Sequence, residues 1–184
     1  MATTTSLMTA EQYAAQPDFH GYPTELVRGS LITMVPPMPR HGEICLRIGH
    51  LLQTYLDDHP IGRALSNDSG VITERDPDTV RGADIAYYSY QRVPKGPLLP
   101  GLLSVAPELV FEVRSPNERW SEIHVKVGEY LNAGVEVVCV AADDTRSIHV
   151  FYATRGTQVF AADDEFSLPE ILASFRLKVA RFFD

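Results

Sequence analysis

The run Leu109-Val110-Phe111-Glu112-Val113 can only be a buried strand, and it carries a carboxylate in its middle. An ionised group inside a buried strand is costly unless a charge or a metal ion compensates it. The same anomaly recurs at Asp84 in Ala83-Asp84-Ile85-Ala86-Tyr87-Tyr88, and a third charge, Lys126, falls on the helix that follows. Alternate residues of a strand share a face, so Val110, Glu112 and Arg114 point one way and Leu109, Phe111 and Val113 the other. Asp84 is opposite in sense to Ala83, Ile85 and Tyr87. If the two strands are neighbours, Asp84 and Glu112 meet on one face. Two carboxylates so placed suit a hard cation such as Mg²⁺, which takes a few carboxylates plus water and phosphate oxygens.

The 184 residues, 45% hydrophobic and 22% charged, suit one domain over 1–184 with its core at about 20–160. No apolar run approaches the ~18 residues of a membrane span, and the first residues lack the basic and apolar regions of a signal peptide. A cytoplasmic protein is expected. Cys45 and Cys139 each lie in an apolar-periodic segment and read as buried, reduced core thiols, with no disulfide or metal role. The net charge of -8 argues against a broad phosphate-gripping surface, so any contact with DNA is through a local patch or a metal ion, or is of low affinity.

Thr9-Ala-Glu-Gln12 is a capping-box pattern opening a helix over 9–15 that stops before Pro17. Residues 25–35 read as a hairpin turning at Arg28-Gly29-Ser30. Ile44, Ile48, Leu51, Leu52, Tyr55 and Leu56 give a helix over 41–57. Short strands are expected at 62–65, 70–74, 83–88 and 109–113, with a long loop, a candidate flap, over 91–107. A helix over 119–133 ends at Gly134. Strands at 136–141, 147–153 and 157–161 follow, then a partly helical segment from Leu168 to Phe183. Meandering strands with two long helices define an α+β, mixed α/β sandwich.

On the helix, Trp120, Ile123, Val127, Tyr130 and Leu131 form the apolar stripe, with Lys126 at its edge. From there a lysine can tuck its stem against the core and turn its ammonium to the site, where it can position water or stabilise a charged transition state. Taken singly, each residue has a plainer role. Glu122 and Lys126 form a favourable i,i+4 pair, Asp84 can accept backbone hydrogen bonds, and Glu112 can pair with Arg114. His41, before the helix, reads as a capping or surface histidine, with phosphate holding as the minority role. Arg75, Arg81, Arg92 and Lys95 read as solvated loop charges that could instead form a phosphate-facing patch.

The order Asp84, then Glu112-Val113-Arg114, then a helix bearing Lys126 resembles the PD-(D/E)XK restriction-endonuclease-like nucleases, and more narrowly a bacterial branch of unknown biological role. The resemblance includes Tyr-Pro-Thr-Glu-Leu-Val-Arg-Gly at 22–29, Pro-Pro-Met-Pro-Arg-His at 36–41, Ala-Pro-Glu-Leu-Val-Phe-Glu-Val-Arg-Ser-Pro at 106–116, and Lys126 with Tyr130 and Ala-Gly-Val at 133–135. It implies a central mixed sheet flanked by helices. It also implies a Mg²⁺ site, with Mn²⁺ as a substitute, formed by Asp84, Glu112, the Val113 carbonyl and Glu25. Asp84, Glu112 and Lys126 would be catalytic, and Arg114 and His41 would bind substrate. Ala83 replaces the proline of the family pattern, and Arg114 stands at the usual lysine position. An arginine holds phosphate but is a poor base, so activity leans on Lys126.

The function expected is Mg²⁺-dependent hydrolysis of DNA phosphodiester bonds. Two rivals remain: a catalytically degenerate nuclease fold acting as a binding or assembly module, and a metal-dependent hydrolase of a smaller phosphorylated substrate. Edge strands and the 91–107 loop make a homodimer conceivable.

Overall fold

The computed structural model of the protein describes residues 7–16 and 23–184. Pro17, expected to stop the first helix, together with Tyr22 and residues 1–6, lies outside them. Helix α1 (Ala10–Ala14) starts with both halves of the capping box at Thr9 and Gln12. The hairpin β1 (Thr24–Val27) and β2 (Ser30–Thr33) turns through Arg28 and Gly29, both at positive φ (48° and 74°). That is the backbone twist a two-residue hairpin needs, and Gly29 adopts it without strain. Helix α2 (Pro39–Asp58) begins with proline in its first turn and buries Ile44, Ile48, Leu52 and Leu56, one per turn. Each such burial contributes about 1.5–3 kcal/mol relative to exposure.

Five further sheet strands follow: β3 (Gly62–Glu74), β4 (Thr79–Ser89), β5 (Leu109–Arg114), β6 (Val137–Ala142) and β7 (Ser147–Tyr152), with the short β8 (Gln158–Phe160) at the edge. The sheet is mixed and eight-stranded, in the order β2-β1-β4-β5-β6-β7-β8, with β3 also paired to β4. Among the strand pairs of the described residues only β5 and β6 run parallel, joined by helix α3 (Trp120–Asn132). The expected α+β architecture is the one observed. One face packs Ile85, Tyr87, Phe111 and Cys139 against α2. The other packs Ala86, Tyr88, Val110 and Val138 against Ile123, Val127 and Tyr130 of α3.

Three local expectations change. The pieces 62–65 and 70–74 are one strand, β3, interrupted by a bulge. Ser66 pairs Ile85 and Ser69 pairs Ala83, so Asn67 and Asp68 together oppose Asp84, both at positive φ (66° and 53°). The end of the chain is a hairpin, β9 (Glu165–Leu168) and β10 (Leu172–Lys178), followed by one 3-10 turn over Val179–Phe182. Its Phe166, Leu172, Phe175 and Phe182 complete the α2-side core, which therefore runs beyond residue 160. The long loop is tied down by Arg92, whose guanidinium bonds the Ala106, Pro107 and Gly134 carbonyls and pairs with Glu108 and Glu136.

The decisive topological feature is a fork in the sheet. Strand β3 lines one edge of β4 from Thr79 to Ser89. The opposite edge is shared, with β1 meeting it at Val80 and β5 at Ile85–Tyr87. Residues 81–84 lie between and have no ladder partner on that side. Main-chain donors stranded inside a protein must still be satisfied, and here two carboxylates serve them. Glu25 Oε1 accepts from the Gly82 amide at 3.1 Å, and Asp84 Oδ2 from the Val113 amide at 2.7 Å.

Arg81, read from sequence as a loop charge, is buried in the fork. It forms a bidentate pair with Glu129 of α3 (2.6 and 2.9 Å) and reaches Glu25 at 2.8 Å. Removing the shared partner of two buried carboxylates should destabilise the protein by about 3–5 kcal/mol. Urea unfolding of Arg81→Met is expected to show a loss of that size; a loss under ~1 kcal/mol, typical of exposed pairs, would contradict the clamp.

Candidate active site

Carrying the β4–β5 register one step past Ile85↔Phe111 sets Asp84 opposite Glu112. Both are buried, at 8% and 5% exposure, and both line a cavity of about 460 Å³ at the mouth of the fork. Glu25 of β1, Asp68 of the bulge, Lys126 of α3 and His41 of α2 line it as well.

Each side chain is held by its element. Glu112 points toward α3, where the Tyr130 hydroxyl donates to its Oε1 at 2.8 Å. The Lys126 ammonium stands 3.9 Å from Glu112 Oε2, 4.0 Å from Glu25 Oε1 and 3.7 Å from Glu118 Oε1. Its i,i+4 neighbour Glu122 turns away to cap the Arg119 amide, so the surface-pair role for Lys126 does not apply. Glu25 has both oxygens engaged, one by Arg81 and one by the Gly82 amide.

His41 differs from the surface or capping residue expected. It lies in the first turn of α2, 13% exposed, with Nε2 3.3 Å from Asp84 Oδ2. Arg114 also departs from expectation, because it lines no part of the cavity. Its guanidinium pairs with Asp144, donates to the Glu118 carbonyl at 3.0 Å and stacks over Trp120, bracing the 115–119 turn. Cys45, expected as a plain core thiol, is only half-buried, and its Sγ lies 3.4 Å from His41 Nδ1.

Asp68 was invisible in the sequence, where Ser66-Asn-Asp-Ser69 reads as a turn between strands. A Cβ on Gly82 would sit 2.9 Å from Asp68 Cβ, so glycine is what lets the bulge lie against the fork.

Negative charge exceeds positive charge in this cavity, and the titration behaviour follows. Burial pushes the Glu112 carboxyl up to about 8; Lys126 works against this, while Asp84 and Glu25 add to it. For Lys126, burial works to lower the pKa, and the carboxylates of Glu112, Glu25 and Glu118 outweigh it, so the ammonium stays charged. Burial and then Asp84 raise Asp68, and the hydrogen bond to Asp84 raises His41.

Because Glu112 is raised when folded, the native state holds more protons than the unfolded chain between the ordinary value of 4.5 and about 8. This group's contribution to stability therefore falls as pH rises through that window. In metal-free protein, Glu112→Gln is expected to flatten that fall and to be the more stable form at pH 8 by on the order of 1–3 kcal/mol. Urea unfolding at pH 5 and pH 8 checks this, and identical pH slopes for the two proteins would refute it.

The architecture is that of the restriction-endonuclease-like nucleases. The family model Uma2, described as "Putative restriction endonuclease", matches residues 10–180, and the chain belongs to that family. Among solved structures it is similar to a crystal structure described as "a putative nuclease belonging to DUF820" from Anabaena variabilis. The two share 19% identity and a TM-score of 0.81, over 96% of this chain and 97% of that one. At that identity the likeness is one of fold. The search of curated proteins found no match.

Proposed function

We propose that the chain is a divalent-metal-dependent nuclease that hydrolyses DNA phosphodiester bonds, with Mg²⁺ as the ion and Mn²⁺ able to replace it. The observation that carries this reading is the opposition of Asp84 and Glu112 across the fork, with the charged Lys126 beside them in one cavity. The donor set fits a hard ion: Asp84, Glu112 and the Val113 carbonyl offer oxygen only. Burial raises the Glu112 carboxyl and the charges of Asp84 and Glu25 add to this, a repulsion that a cation would relieve. When bound, the ion would acidify a water and take up charge developing on the phosphate.

The chain's own groups do the rest. Asp84 is aimed by the Val113 amide and by His41, and Glu112 by Tyr130. Lys126 keeps its proton, so it is no general base. It orients the attacking water and stabilises the anionic transition state. Glu25, with both oxygens already bonded, acts by fixing Arg81 and steering Lys126 rather than as a ligand. Arg114, turned away, braces the turn whose Glu118 completes the lysine's surroundings.

A second reading, hydrolysis of a smaller phosphorylated substrate, draws support from the acidic lining and the modest volume of the cavity. Nicking of supercoiled plasmid in Mg²⁺ or Mn²⁺, run beside a panel of phosphorylated small molecules, separates the two. Asp84→Asn is expected to abolish turnover and Lys126→Met to lower it roughly 10²–10³-fold, the scale of removing one transition-state donor. Asp84→Asn cutting at the wild-type rate would end the assignment.

A further inference from the structure

The fork opens in two directions, and the nuclease reading uses only one of them. On the α2 side of Asp84 lies a second cavity of about 560 Å³. His41, Asp68 and Asp84 line both cavities, but Glu25, Glu112 and Lys126 belong to the first alone, and Cys45 to the second alone. Residues 41 and 45 are one helical turn apart and so share a face of α2. They bring an imidazole and a thiol to the same carboxylate. His41 Nδ1 is 3.4 Å from Cys45 Sγ, and His41 Nε2 is 3.3 Å from Asp84 Oδ2. One ligand atom from each of the three residues lies within 4.8 Å of the others.

That donor set is of a different kind from the oxygen-only set on the α3 side. Nitrogen, sulfur and one carboxylate oxygen are ligands for zinc-like ions, whereas Mg²⁺ takes oxygen. We propose that His41, Cys45 and Asp84 form a second, soft metal site for Zn²⁺ or a similar ion, whose occupation draws Asp84 away from Glu112. The withdrawal of Asp84 rests on the nuclease reading; the ion binding itself does not.

A tetrahedral zinc with bonds of about 2.0–2.3 Å wants its ligand atoms roughly 3.3–3.8 Å apart. The cluster therefore closes by about an ångström on binding, within reach of side-chain rotation. The thiol gives up its proton to solvent as the zinc–sulfur bond forms. Gly42 and Gly49 line the same cavity without side chains, leaving room beside the three donors. Asp68, on the same cavity, adds negative charge that offsets the positive N-terminal end of α2. An ion here and an ion on the α3 side compete for one carboxylate.

Cobalt gives a direct readout, because a bound thiolate produces an intense near-ultraviolet charge-transfer band. Titration of metal-stripped protein with Co²⁺ is expected to give that band at one equivalent, bleached by Zn²⁺. Cys45→Ser should lose it, since the other cysteine, Cys139, is fully buried in the α2-side core. Mn²⁺ binding, followed by electron paramagnetic resonance, should weaken when one equivalent of Zn²⁺ is present. That effect should need at least about tenfold more Zn²⁺ in Cys45→Ser, the lower end of what even an outer partner of a metal ligand is worth. No charge-transfer band in the wild type, or the same band in Cys45→Ser, would overturn the site. A cobalt band together with Mn²⁺ binding indifferent to Zn²⁺ would overturn the competition. A cobalt band with no Mn²⁺ binding at all would instead count against the nuclease reading.

Discussion

The gap on one edge of β4 is the constraint from which the rest of this structure follows. A strand with neighbours on both edges has its amides and carbonyls consumed by the ladders. Here β1 leaves at Val80 and β5 arrives at Ile85, so the residues between must find other partners. The Gly82 amide of β4 is taken by the Glu25 carboxylate, and the Val113 amide of β5, past the end of its ladder with β4, is taken by Asp84. Those bonds hold two acids in place where the sheet opens to a cavity. The backbone's need for acceptors and the site's need for positioned oxygens are met by the same atoms.

Electrostatics then decides which acids are structural and which remain available. Arg81 lies between Glu25 and Glu129, close enough to pair with both. Buried and hydrogen-bonded on each side, it fixes β4 against β1 and α3. Lys126 stands nearly 4 Å from each of three acids and is hydrogen-bonded to none. It offsets part of the negative local potential without capping any single carboxylate. That leaves Glu112 and Asp84 with no guanidinium partner, and burial, opposed by Lys126 and reinforced by Asp84 and Glu25, raises the Glu112 carboxyl. An ion bound as proposed would offset the repulsion between these carboxylates and so stabilise the fold.

Legibility from sequence divided along the range of the interactions. Glu112 and Lys126 could be placed because alternation and the helical wheel are local rules, and both residues break them visibly. The two long helices and the strands around them were legible for the same reason. Asp68 was not, because a bulge is defined by the partner strand: only the pairing of Ser66 and Ser69 with β4 shows that two residues face Asp84. Arg81 was misread because β4 begins four residues before the apolar stretch that announced it, and a charge beside Asp76-Pro77-Asp78 looks solvated. His41 and Cys45 follow ordinary helical spacing, so nothing in the one-dimensional pattern says that their shared face turns to Asp84 and not to solvent or core. The segment from Leu168 to Phe183 reads as partly helical, and the 3-10 turn over Val179–Phe182 is its helical part; β10 before it is not legible because the irregularly spaced aromatic residues obey neither period.

The position of Arg114 explains how this branch of the fold can carry its cation on a helix. An arginine two residues after Glu112 shares the glutamate's face, and in the family pattern that position supplies the lysine beside the metal. Here β5 ends at Arg114, and its guanidinium swings out to Asp144, the Glu118 carbonyl and the Trp120 ring. Those contacts fold the 115–119 turn back toward α3 and bring Glu118 to within 3.7 Å of Lys126. Arg114 thus builds part of the surroundings of Lys126. A guanidinium left beside Glu112 would cap that carboxylate with a bidentate pair and compete with any ion for its oxygens. An ammonium held at 3.9 Å from the side of α3 gives the charge and leaves those oxygens open.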